Sequence, residues 1–133
     1  LEKNAVLQVD NQTTLNGSIT GAGKLSKQGI GTLTLNHNNQ DFSGNIIVEQ
    51  GKLSVASAQA LGTGSSLEFK ADTGLQATDT LTLNKEIKLS QSGAAVSLDV
   101  AQNKSLTIDN TISGVGSLVK DGVGSLLLTK TNT

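Results

Sequence analysis

The chain has 133 residues, a formal charge of −1 and no Cys, Pro, Met, Trp or Tyr, and its ten basic residues are all Lys. This composition excludes disulfide stapling, leaves no basic footprint for nucleic acid and, without Arg, removes bidentate recognition of phosphate or carboxylate. No apolar run approaches the ~20 residues of a membrane helix. No signal peptide is present and Leu1 is not a natural start, so the chain reads as an excised piece of something larger.

Taken in chain order, the apolar residues come as i, i+2 pairs. Leu7 and Val9 are followed by Leu33 and Leu35, Ile46 and Val48, Leu53 and Val55, then Leu67 and Phe69. Leu81 and Leu83, Ile87 and Leu89, Leu98 and Val100, Leu106 and Ile108, and Leu126 and Leu128 continue the set. Short segments of period two predict strands. Gly, Asn, Asp, Ser and Thr between them predict turns. Residues 55–61 are the best helix candidate and are too short for an α-helix of ordinary length. Asn36–Gln40 and Gln91–Ala95 read as loops between strands rather than interdomain linkers.

With Phe42 and Phe69 as the only aromatics, the core must be filled by Leu, Ile, Val and Ala. Aromatic rings normally supply much of a globular core's volume, so a narrow, layered core is expected. Sandwich and barrel folds compete for such a pattern. Three observations favour a β-helix: very short strands, abundant Gly, and a direct repeat. The absence of Pro also suits a parallel stack, which uses backbone N–H groups from almost every strand.

The repeat is the strongest signal. Ile19–Leu35 reads ITGAGKLSKQGIGTLTL and Ile112–Leu128 reads ISGVGSLVKDGVGSLLL, with nine of seventeen positions identical. A unit used twice argues for stacked neighbours that share a core. Gly21, Gly23, Gly29 and Gly31 flank Leu25 and Lys27, and glycine's access to positive φ suits chain-turning corners. Lys24, Lys27 and Lys120 are read as outward-facing, on a solvated face that discourages edge pairing.

The first copy leads into Asn38-Asn-Gln-Asp-Phe-Ser-Gly44, then Ile46-Ile-Val48 and Gly51-Lys-Leu-Ser-Val55. This arrangement resembles the autotransporter passenger-associated transport repeat: GxGxLxKxGxGTLTL, then N-x-(Tyr/Phe)-(Ser/Thr)-G, a strand, and GxLxV. One copy covers residues 19–55. A partial copy covers 112–133, while 56–97 match only generically. The resemblance implies an all-β fold, a right-handed single-stranded parallel β-helix, with residues 1–133 forming a fragment of one passenger domain. At roughly 20–25 residues per coil it would have about five or six coils. It also implies a Gram-negative type V secretion protein, displayed at the cell surface or secreted. Its partner would be a C-terminal translocator β-barrel of the same polypeptide, outside this fragment.

Little chemistry is predicted. GAGKLSKQG lacks the phosphate-loop pattern and no helix follows it. His37, the single His, has no second His or Cys to complete a metal or nucleophile set. Asp10-Asn11, Asn38-Asn39 and Asp109-Asn110 read as corner residues that ladder between coils, not as calcium ligands. Glu68 with Asp72, or Asp72 with Asp79, are the nearest carboxylate pairings, and no sugar-binding Trp, Tyr or Arg accompanies them. No GxSxG elbow occurs. The sequence therefore predicts no catalytic, cofactor-binding or metal residues and no cofactor. It predicts a non-catalytic stalk segment, with an adhesive or self-associating module binding glycan, matrix or another copy as the alternative.

Overall fold

A computed structural model of the chain describes residues 4–70, 72–93 and 95–130. Ala94, within the expected loop 91–95, and 131–133, at the end of the second repeat copy, lie outside the described residues. The chain winds through about six coils. The first three carry two strands each: β1 (Ala5–Gln8) and β2 (Thr13–Leu15), β3 (Leu25–Gln28) and β4 (Thr32–Leu35), β5 (Ile46–Val48) and β6 (Lys52–Val55). The next three carry three strands: β7 (Ser66–Phe69), β8 (Gly74–Ala77) and β9 (Leu81–Leu83), then β10 (Glu86–Leu89), β11 (Val96–Val100) and β12 (Ser105–Ile108). The last coil holds β13 (Ile112–Gly114), β14 (Leu118–Asp121) and β15 (Ser125–Leu128).

Corresponding strands of successive coils pair in parallel. The first face is a six-stranded sheet in the order β1-β3-β5-β7-β10-β13, the second is β2-β4-β6-β8-β11-β14, and the third is β9-β12-β15. The molecule is thus an all-β parallel solenoid, as the repeat predicted. Register partners lie 20 residues apart at the near end, Leu33 with Leu53, and 25 at the far end, Ile87 with Ile112. That spacing matches the predicted coil length.

Because side chains alternate along a strand, a fixed register stacks like on like. Leu33, Leu53, Leu75 and Leu98 form one row through the second face. Leu25, Ile46, Leu67, Ile87 and Ile112 form another through the first. All of these are buried and belong to one continuous core. Slipping any strand by one residue would turn its leucines to water, so the register is strongly specified.

The third face is built differently at its two ends. In the later coils it is a regular sheet. In the earlier ones it is loop, with an isolated parallel bridge between Gly21 and Phe42 and a 3-10 helix at Ala58–Leu61. The weak helix candidate at 55–61 therefore becomes a single short turn. Residues 36–44 lack period-two alternation, which is why no strand forms there. Phe42 fills the resulting space and is fully buried.

The two repeat copies do not occupy the same faces. Leu25 of the first copy lies in β3, on the first face, while its counterpart Leu118 lies in β14, on the second. Four coils carry the chain from Leu25 to Ile112 along the first face. The second copy begins there, one face later in the winding than the first. The motif therefore encodes a pair of strands and the corner between them, and it fits more than one corner of the solenoid.

Candidate functional site

The corners carry most of the polar chemistry. At the turn between β3 and β4, Gly29 has φ +85°. Gly31 has ordinary φ, but a Cβ there would sit 2.3 Å from the Asn11 carbonyl oxygen. Glycine is thus required at the first position for conformation and at the second for room. At the corner leading into the first face, Gly23, Gly44 and Gly64 stack, and a Cβ on Gly44 would lie 1.9 Å from the Gly23 oxygen. Coils approach too closely here for any side chain.

Lys27 corrects the sequence reading. It points inward and is fully buried. Its stem lies in the first-face row between Leu7 and Val48, and its Nζ donates to the Gly29 and Gln50 carbonyls, both at 2.8 Å. The Gln50 side-chain oxygen in turn accepts from Gly29 N–H at 2.9 Å. Lys27 therefore ties its own corner to the next coil. Desolvation lowers its pKa from the ordinary 10.5, and the Asp10 carboxylate opposes that shift. Lys120 also departs from the outward reading. It pairs in register with the inward Leu98 and its Nζ donates to the Gly122 carbonyl at 2.8 Å, yet it is exposed because it lies in the last coil. Lys24 is exposed, as expected.

Lys85 escaped the sequence reading, although a signal was present. It falls in phase with Leu81, Leu83, Ile87 and Leu89, the inward residues around it. The same phase marks Lys27 after Leu25. Lys85 is 7% exposed and its Nζ donates to the Gly64 carbonyl of the preceding coil. Burial lowers its pKa as well, with no carboxylate to offset it.

The sequence groups Asn39 with the other corner asparagines, and the structure separates it from the rest. It is buried, and its side chain joins three coils: Oδ1 accepts from Ile19 N–H at 2.8 Å while Nδ2 donates to the Ala60 carbonyl at 2.8 Å. It adds to the sparse backbone pairing between coils on the third face. Asn38 is exposed and caps only its own turn, through Gln40 N–H. Asp109 bonds Thr129 and pairs with Lys130, which places it in an inter-coil ladder.

The carboxylates expected to be nearest do not converge. Glu68 is on β7, Asp72 follows at the corner beyond it, and Asp79 pairs with Lys104 at the next corner at 3.3 Å. His37 is exposed, with Nδ1 2.8 Å from the Asn38 carbonyl oxygen, beside a cavity of about 140 Å³. Among the described residues no three His, Asp or Glu side chains are grouped to hold a metal ion.

Two larger depressions mark the surface. One, of about 340 Å³, runs along the first face and is lined by Lys24, Asn45, Glu68 and Lys88 among others, so its charges are mixed. The other, of about 260 Å³, opens on the third face between the 3-10 helix and β9. Its lining has amides, hydroxyls and Lys85, and no carboxylate.

The chain is 35% identical over 120 residues, 90% of its length, to the adhesin BmaC autotransporter of Brucella suis biovar 1 (strain 1330). It spans 3% of that protein's length. No family model and no solved structure gives a match. This relative and the parallel solenoid together bear out the resemblance read from the repeat.

Proposed function

We propose that this chain, an autotransporter passenger segment by its relative and its fold, serves as a β-solenoid stalk exposed at the cell surface and takes part in adhesion. The observation that carries this reading is the match to an autotransporter adhesin along 90% of the chain, on a fold made wholly of stacked coils. Each coil contacts chiefly its neighbours, so the stack can grow one coil at a time as the chain emerges. Folding outside would then oppose backsliding through the outer membrane. A C-terminal translocator barrel in the full polypeptide would provide the passage.

No catalytic step is assigned. The carboxylates are dispersed, and the single His lies in an exposed loop with a backbone carbonyl as its partner. The adhesive part of the reading is tested by competition. Purified 133-residue chain should reduce attachment of bacteria displaying the full protein to host cells or matrix. Undiminished attachment at saturating chain would leave the segment a spacer and remove the adhesive role.

A further inference from the structure

Lys27 and Lys85 are both buried in this solenoid, and their surroundings differ. Lys27 finds two carbonyl acceptors and faces a nearby carboxylate, Asp10. Lys85 finds one protein acceptor, the Gly64 carbonyl. An ammonium carries three N–H donors, so Lys85 can hold the Gly64 carbonyl and still donate toward the cavity it lines. Lys85 also lines the third-face cavity of about 260 Å³, whereas Lys27 lines none of the depressions described above. A buried charge is stable only when paired and hydrogen-bonded. Lys85 lines an open cavity, where a ligand could reach its ammonium.

We propose that this cavity binds a single carboxylate-bearing sugar residue, of the uronic acid type, with Lys85 holding the carboxylate. The cavity's size suits one ring rather than an extended chain, since it falls below the ~300 Å³ lower range of drug-sized sites. Gln59, Asn84, Thr63 and Thr82 supply amides and hydroxyls around the rim for ring hydroxyls. The lining contains no carboxylate to compete for the ammonium. The first-face depression lacks this selectivity, because Glu68 lies with Lys24 and Lys88 in its wall. No aromatic platform is present, so recognition rests on charge and hydrogen bonds. The site deepens the adhesive reading, for which it names an acidic sugar as the ligand class.

The test is NMR titration of the 133-residue chain with glucuronate, with glucose and acetate as separate probes. Glucuronate should shift the amides of Gly64 and residues 82–85 saturably, and bind at least tenfold tighter than either control. Lys85→Met should weaken glucuronate binding at least tenfold. Gln59→Glu, at an exposed rim position, should weaken it in the same direction and covers the case that Lys85→Met disturbs the fold. Equal binding of acetate and glucuronate, no saturable shift, or unchanged affinity in a folded Lys85→Met or Gln59→Glu chain overturns the proposal. Sugar binding is read separately from attachment to cells: loss of the first with retention of the second removes this site and leaves the adhesive role.

Discussion

Lys27 and Lys120 hold the same place in the repeated motif and make the same bond, Nζ to the carbonyl two residues on, at 2.8 Å in both. One is fully buried and the other exposed. The difference is the next coil. Lys27 is covered by β5 and β6 and reaches the Gln50 carbonyl there, whereas Lys120 lies in the last coil. The corner bond thus needs no following coil, and the coil stacked on Lys27 is what buries it.

Burial of Lys27 and Lys85 sets a pH dependence. Both have folded pKa values below the ordinary 10.5 of the unfolded chain, each chiefly through desolvation. Between the folded and unfolded values the unfolded state binds more protons, so stability rises with pH. Chemical denaturation as the pH is raised toward the ordinary lysine value of 10.5 should show this rise in the wild type. The Lys27→Met, Lys85→Met double variant should show a smaller one. Met keeps most of the stem volume, and replacing a buried charge by an apolar group is often neutral or stabilising.

Phe42→Ala should cost about 3–5 kcal/mol, the usual range for emptying a buried aromatic site. Phe42 is fully buried on the third face where no strand is present, and Gly44 and Gly62 both abut its ring. Denaturant melting of the variant checks the value. A loss below about 1 kcal/mol would mean that the loop collapses around the gap.

Gly44→Ala should destabilise by more than about 1 kcal/mol, since its Cβ would meet backbone rather than a flexible side chain. Gly17→Ala is the control, because nothing lies within 4 Å of a Cβ there. The pair separates a glycine needed for room from one that is merely in a loop.

Asn39→Ala should strand the buried Ala60 carbonyl, at about 1–3 kcal/mol, and the half-buried Ile19 N–H, at less. Asn38→Ala, a few ångströms away in the chain and exposed, should be much milder. Hydrogen exchange at Ile19 gives the sharper readout, as its protection depends on the Asn39 side chain.

Much of this architecture was legible because it depends on period and glycine. The leucine rows follow from alternation alone, and the corners from paired glycines. The charge of Lys27 points outward while its phase points inward: it sits in step with Leu25, and the stem can occupy a core row while the ammonium turns to corner carbonyls. Lys85 carried the same signal. Asn39 could not be told from Asn38 by composition, since only the fold of the third face brings Ile19 and Ala60 to opposite sides of it. The shift of the second repeat onto a different face was also hidden, because it accumulates from coil lengths that vary between 20 and 25 residues.

If stacking of these coils drives passenger export, as proposed, timed protease accessibility on intact bacteria measures it directly. The full protein carrying Leu33→Asp, which places a carboxylate in the leucine row, should reach the surface more slowly than wild type. Ile30→Asp, at a position 81% exposed, should reach it at the wild-type rate. Equal rates for all three would contradict folding-driven export.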